Sequence, residues 1–211
     1  MIAAYFPVIS FSFIANYCFA QKRDTIFHDA GFYNTIQWSA EQPTLIIPQA
    51  WIYFGDFYLE ARYNYEDHKT LSLYFGRAFS FDKKAEIEIT PMIGAVVGKT
   101  NGISPGFNFE INYKRFSSFT QCQYTIDLKT SNISYFWDWT GFNILFSKHF
   151  GLGGAAQVYQ PNTGVPFFIA GPMVRFHHKS FAIEAYAYNF WQKFPIAAIG
   201  MEYQFLSLIH I

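Results

Sequence analysis

Between about residue 30 and residue 205 the chain alternates apolar and polar side chains with a period of two. Within residues 56–65, Phe57, Leu59, Ala61, Tyr63 and Tyr65 share one face, and Tyr58, Glu60, Arg62 and Asn64 the other. Within residues 85–97, Ile87, Ile89, Pro91, Ile93, Ala95 and Val97 oppose Glu86, Glu88, Thr90 and Gly94. Residues 107–114 set Phe107, Phe109, Ile111 and Tyr113 against Asn108, Glu110, Asn112 and Lys114. Residues 120–128 set Cys122, Tyr124, Ile126 and Leu128 against Gln121, Gln123, Thr125 and Asp127. Successive side chains of a strand point to opposite faces, so each run predicts a strand with one oily and one polar side.

A soluble β-sandwich and a membrane barrel both use this pattern, and strand length separates them. The runs span about ten residues, where globular strands cluster near five or six. Ten tilted residues cross an apolar layer of about 25 Å. Composition points the same way. Charged residues make up 14% of the chain, against roughly 25% in soluble domains. Aromatic residues make up 22%, including 26 Phe and 15 Tyr, more apolar surface than a soluble fold of this size covers. The 15 basic and 15 acidic residues balance, so nothing in the charge points to nucleic acid. The predicted fold class is all-β: a single transmembrane antiparallel up-and-down β-barrel.

Turn signals divide the chain into twelve strands, at 32–40, 45–54, 57–65, 70–79, 85–97, 106–114, 118–128, 135–146, 152–160, 166–177, 181–190 and 195–205. The last carries Met201, Tyr203 and Phe205 at alternate positions. It resembles the C-terminal signal strand of outer-membrane β-barrel proteins, whose terminal aromatic is read by the barrel-assembly machinery. The resemblance implies a porin-like integral outer-membrane protein of a Gram-negative envelope, with outer-membrane lipid and that machinery as partners. Termini on one side require an even strand number, so the short, polar run 32–40 is needed as the twelfth strand. Ten strands with an N-terminal plug is the alternative. The outward connections, at 41–44, 66–69, 98–105, 130–134, 161–165 and 191–194, are short, which disfavours receptor or adhesin roles.

Residues 1–20 are almost wholly apolar or small and end Cys18-Phe19-Ala20 before Gln21-Lys22-Arg23. This fits a signal peptide cleaved after Ala20, although no Lys or Arg precedes the apolar run. Residues 21–31 are then expected to form a periplasmic segment ahead of a barrel at 32–205. Cleavage removes Cys18 and leaves Cys122 without a disulfide partner, as a small side chain on a lipid-facing strand position. The tail Leu206-Ser207-Leu208-Ile209-His210-Ile211 resembles, in every position, one reading frame of an adapter used in sequencing libraries. It is set aside as non-native.

Projected inward, the polar faces place Glu60, Glu86, Glu88, Glu110, Asp127, Asp138, Glu184 and Glu202 in the lumen with Arg62, Lys114 and Arg175; Arg77 falls in the oily register. Asp138, between Trp137 and Trp139, reads as an inward acid flanked by interfacial aromatics. Acids outnumber bases, which predicts a narrow, cation-favouring passive pore for small solutes or ions. Twelve strands lie between eight, which side chains fill, and sixteen, which leave a channel. Inward Tyr58, Tyr74, Tyr159, Tyr186 and Tyr188 narrow the bore further, so a plugged, structural envelope barrel is the alternative. A second alternative is enzymatic. His178-Lys179-Ser180 resembles the His-x-Ser of outer-membrane lipid A deacylases, in which His is base to a Ser nucleophile and a downstream acid orients the His. That acid's position falls at Phe190, which cannot orient a His, and the triplet lies in a periplasmic turn. A chance triplet is the simpler reading, and no catalytic residue is assigned. Glu86 and Glu88 have the pairing of a glycosidase site, but a lumen wall explains them more simply. His28, His68 and His149 lack metal-ligand spacing, so neither metal nor cofactor is expected.

Overall fold

The structure is a computed structural model that describes residues 29–40, 43–129 and 134–206. The expected signal peptide, most of the segment at 21–31 and all but Leu206 of the tail lie outside these residues. Among the described residues there are thirteen strands: β1 (Asp29–Ser39), β2 (Leu45–Phe54), β3 (Phe57–Tyr63), β4 (Thr70–Arg77), β5 (Phe79–Asp82), β6 (Glu86–Gly98), β7 (Gly102–Tyr113), β8 (Phe116–Asp127), β9 (Tyr135–Leu145), β10 (Phe150–Pro161), β11 (Phe167–His178), β12 (Phe181–Tyr188) and β13 (Ile196–Leu206).

Twelve of them close a ring. β1 pairs antiparallel with β2 and also with β13, where Asp29 lies opposite Leu206 and Ser39 opposite Ile196. β4 pairs with both β3 and β6. β5 continues the β4 register on β6: Gly76 faces Met92, and Phe79 then faces Ile89. The interruption falls at Ala78, whose amide donates to the Asp56 carbonyl in the β2–β3 turn at 2.8 Å. β5 thus extends beyond the ring as a continuation of its fourth strand. Closure satisfies the backbone groups that an open sheet edge would leave to lipid. It also decides against the ten-strand alternative, because β1 is bonded on both sides, over eleven residues to β13 and nine to β2. Pro48 sits within β2 opposite Asn34 without ending the strand.

Both ends of the strand system lie at one end of the barrel, called here the terminal end; the opposite rim is the loop end. Three terminal-end turns hold left-handed residues, Gly55 (φ 58°), Lys114 (φ 54°) and Lys179 (φ 53°), as two-residue hairpins require. The outer wall is oily: Leu59, Leu73, Phe75, Ile93, Ile103, Phe142, Ile144, Leu152 and Val174 are all exposed, a surface suited to lipid and not to water.

One strand ends earlier than its alternation predicts. Asn64 takes φ 59°, its amide donates to Thr70 O at 2.9 Å, and its Oδ1 accepts from the Lys69 amide at 2.7 Å. The chain leaves the sheet there, and Tyr65 and Glu66 fold into the barrel. Tyr65 was expected on the oily face and Glu66 in an outer loop; both are buried.

Candidate functional site in the barrel lumen

Two chambers occupy the lumen. The larger, about 800 Å³, reaches the terminal-end mouth. Its walls carry Asp29, Glu60, Glu88, Glu110, Glu184 and Glu202 against Arg175, while Lys114, Arg115 and Lys179 stand in the turns at its rim. The smaller, about 390 Å³, lies toward the loop end. Gln49 and Trp139 line both chambers.

A knot of polar side chains fills the space beside them. Arg62 is fully buried and donates to Glu60 at 2.7 Å and to Gln123 Oε1 at 2.6 Å. Its guanidinium is sandwiched between the rings of Tyr65 and Tyr74, each centroid at 4.5 Å. Glu66 lies 3.9 Å from Arg62 and accepts from Tyr74 Oη at 2.9 Å and from the Ser72 hydroxyl. Burial pushes the Glu66 carboxyl above its ordinary range, against the opposing pull of Arg62 and of the Ser72 and Tyr74 hydroxyls. The Tyr74 hydroxyl, its proton given to Glu66, is also hydrogen-bonded to Ser104 Oγ at 2.9 Å, and Ser104 bonds Thr125 at 3.0 Å. Among the described residues Arg62 Nε has no hydrogen-bond partner, but a network this densely bonded is rigid, because moving a bonded member strands a buried polar group.

A second network lies across the barrel. Arg175 bridges Glu184 and, at 2.9 Å, Glu202. Glu184 also accepts from Tyr33 Oη at 2.7 Å and from the Tyr186 hydroxyl. Trp139 packs against Tyr33, Phe119 and Tyr186, with centroids 5.8, 5.0 and 6.1 Å apart.

The structure therefore brings Glu60 with Arg62, and Arg175 with Glu184 and Glu202, into lumen networks. Glu88 accepts from Tyr53 at 2.7 Å and from Ser80 at 2.9 Å, and Glu110 faces the larger chamber. Three other expected lumen residues lie at the ends of the barrel. Glu86 is exposed at the terminal rim, where β6 begins. Lys114 stands in the β7–β8 turn, left-handed and exposed, because the strand ends one residue before it. Asp127 closes β8 at the loop end, where its Oδ1 accepts from the Lys129 amide at 2.8 Å.

Asp138 is a correction of another kind, since it faces outward. Tyr135, Trp139, Gly141 and Asn143 are buried while Phe142 and Ile144 are exposed, so the alternation of β9 sends residue 138 to the lipid side. The two indoles expected to flank an inward acid are themselves the inward residues. Their aromatic contacts in the lumen set the register, and the carboxylate takes the face left over. It accepts from Thr140 Oγ1 at 3.0 Å and lies opposite Cys122, which is half-buried on the same outer face.

Sequence reasoning missed Tyr33, Gln49, Tyr53 and Glu66. The first three lie on inward registers of β1 and β2, whose alternation is weak. Glu66 carried no signal, because only the Asn64 turn directs it inward.

His178 ends β11, and Lys179 and Ser180 form the β11–β12 turn. Among the described residues no hydrogen bond joins His178 to Ser180, and Phe190 lies beyond the far end of β12. No group of three or more His, Cys, Asp or Glu among the described residues is placed to hold a metal ion.

No family model matches the chain, and no curated protein does. Solved structures do. The KdgM porin superposes with a TM-score of 0.56 at 10% identity, over 83% of this chain and 99% of that one. The same porin in complex with disordered oligogalacturonate gives 0.55 at 10%, over the same shares of both chains. The chain has the fold of the porin-like outer-membrane β-barrels. The NanC porin, at 0.52 and 8% over 82% of this chain and 98% of that one, repeats the match. These likenesses speak for the barrel fold alone, and leave the lumen of this porin-like chain to be read from its own residues.

Proposed function

We propose that the chain is an integral outer-membrane barrel that acts as a narrow passive pore for small solutes, with a preference for cations at its terminal-end chamber. The observation that carries this reading is the chamber's composition. Its strand walls present six carboxylates and one guanidinium, and carboxylate-lined constrictions favour cations. Outer-membrane lipid is the solvent that the oily wall fits. Met201, Tyr203 and Phe205 lie on the outward register of β13, beside β1, with Phe32 stacked on Tyr203 at 6.1 Å. An outward aromatic register of this kind is available to an assembly machinery. The fully buried Arg62 favours the second reading, a plugged structural barrel.

The test is conductance of the purified, refolded chain in a planar bilayer under a KCl gradient. A cation-selective reversal potential that moves toward zero in Glu88→Gln/Glu110→Gln supports the pore. Absence of current, or anion selectivity, overturns the cation pore. Current that appears only in Arg62→Ala establishes the plugged reading.

A further inference from the structure

At the larger chamber the two guanidiniums of the strands are committed. Arg175 bridges Glu184 and Glu202, and Arg62 pairs with Glu60 at 2.7 Å. Asp29, Glu88 and Glu110 stand toward the mouth, near the terminal ends of β1, β6 and β7. Glu88 and Glu110 are direct cross-strand partners, and like charges so placed destabilise a sheet unless a cation is shared between them. Asp29 is the first residue of β1 and part of the chamber wall, so the chain that precedes it arrives at this mouth. That stretch, Gln21-Lys22-Arg23-Asp24-Thr25-Ile26-Phe27-His28, lies outside the described residues and brings two cations against one carboxylate. Arg23 is six residues from Asp29, a reach of about 20 Å when extended. The rings of Trp51 and Tyr53 in the same wall offer apolar surface to Ile26 and Phe27.

We propose that residues 21–28 turn back through the terminal-end mouth and set Lys22 and Arg23 among Asp29, Glu88 and Glu110, so that the chain carries its own basic plug. Charge complementarity selects this occupant, and the tether makes it effective. A short covalent link holds a segment at a local concentration on the order of millimolar, where weak ion pairs suffice; a cation from solution has no such advantage. The chamber, about 800 Å³, is large enough for a short peptide segment. With Lys22 and Arg23 in place, both the current and the cation preference of the pore are reduced. The inference thus adds a regulation to the pore reading and rests on it for conduction, while docking is measured without any current.

The test is zero-length carbodiimide cross-linking of the refolded chain in micelles, read by peptide mass spectrometry, since this reagent joins a lysine to a carboxylate only where the two are in contact. Lys22 is expected to be joined to Glu88, Glu110 or Asp29 in preference to Glu86, which is exposed at the same rim. In 1 M KCl the yield should fall at least about threefold, because salt screens the attraction. Folding is checked by heat-modifiable gel mobility. Cross-links to Glu86 as abundant as those to the chamber carboxylates overturn the proposal, as does a yield indifferent to salt. In the planar bilayer, Lys22→Gln/Arg23→Gln should raise the unitary current and the cation selectivity; a conducting chain in which both stay unchanged also overturns the plug. If the chain conducts without these cross-links, the docked segment fails alone. If the cross-links form and neither wild type nor variant conducts, docking stands and only the pore fails.

Discussion

Arg62 and Glu60, two residues apart on β3, form an ion pair at 2.7 Å with neither side chain reaching water. The guanidinium also lies 3.9 Å from Glu66, so a single cation compensates two buried carboxylates. Breaking one side of a buried pair costs about 3–5 kcal/mol, because the partner charge remains. Arg62→Met is expected to lower the urea midpoint of the barrel in vesicles correspondingly and to enlarge its unitary current. Arg62→Lys, which keeps charge but loses the planar fork, should fall between. An unchanged midpoint in Arg62→Met would remove the knot as a structural constraint.

Tyr74 lies flat over Gly94, its partner on β6; a Cβ there would stand 2.5 Å from the ring. The same ring is a platform for Arg62 and its hydroxyl serves Glu66 and Ser104. Gly94→Ala is expected to destabilise by about 1–3 kcal/mol through overpacking. Gly154→Ala, on the outer wall, has as its nearest neighbours the Phe142 side chain and one carbonyl, none closer than 3.2 Å, and should cost less. Equal unfolding midpoints for the two variants would refute the packing argument.

Asp138 places a carboxyl on the lipid side of β9. Charged groups on this face oppose insertion in a depth-dependent way, acids less than bases. Asp138→Asn should stabilise the barrel in lipid by on the order of 1 kcal/mol, and by less in detergent, where water reaches the wall. A loss of stability in lipid would indicate that the carboxylate serves a partner on that wall.

Glu66 gives the stability a pH dependence. Burial raises its folded-state pKa above the ordinary value of 4.5, so the folded chain holds this proton more tightly than the unfolded one. The contribution is fully present below pH 4.5 and is lost as pH rises through the elevated folded value. Denaturation midpoints measured across this range should fall more steeply with rising pH for wild type than for Glu66→Gln. Parallel curves would show that Arg62 and the hydroxyls cancel the effect of burial.

Period-two runs of about ten residues, short of charge and rich in aromatics, were enough to determine a closed transmembrane barrel. The parity of the strand number followed from the shared position of the termini. These properties are local, because each strand must present one face to lipid whatever its neighbours do. Which residues meet in the lumen depends on register across the ring and on single turns. Asn64 turns Glu66 toward Arg62, and the packing of Trp139 against Tyr33 and Phe119 on other strands sends Asp138 outward. Alternation in one segment cannot say which face wins when acids and indoles compete for the inside. The partners that decide it stand on strands distant in sequence and become neighbours only when β1 closes on β13.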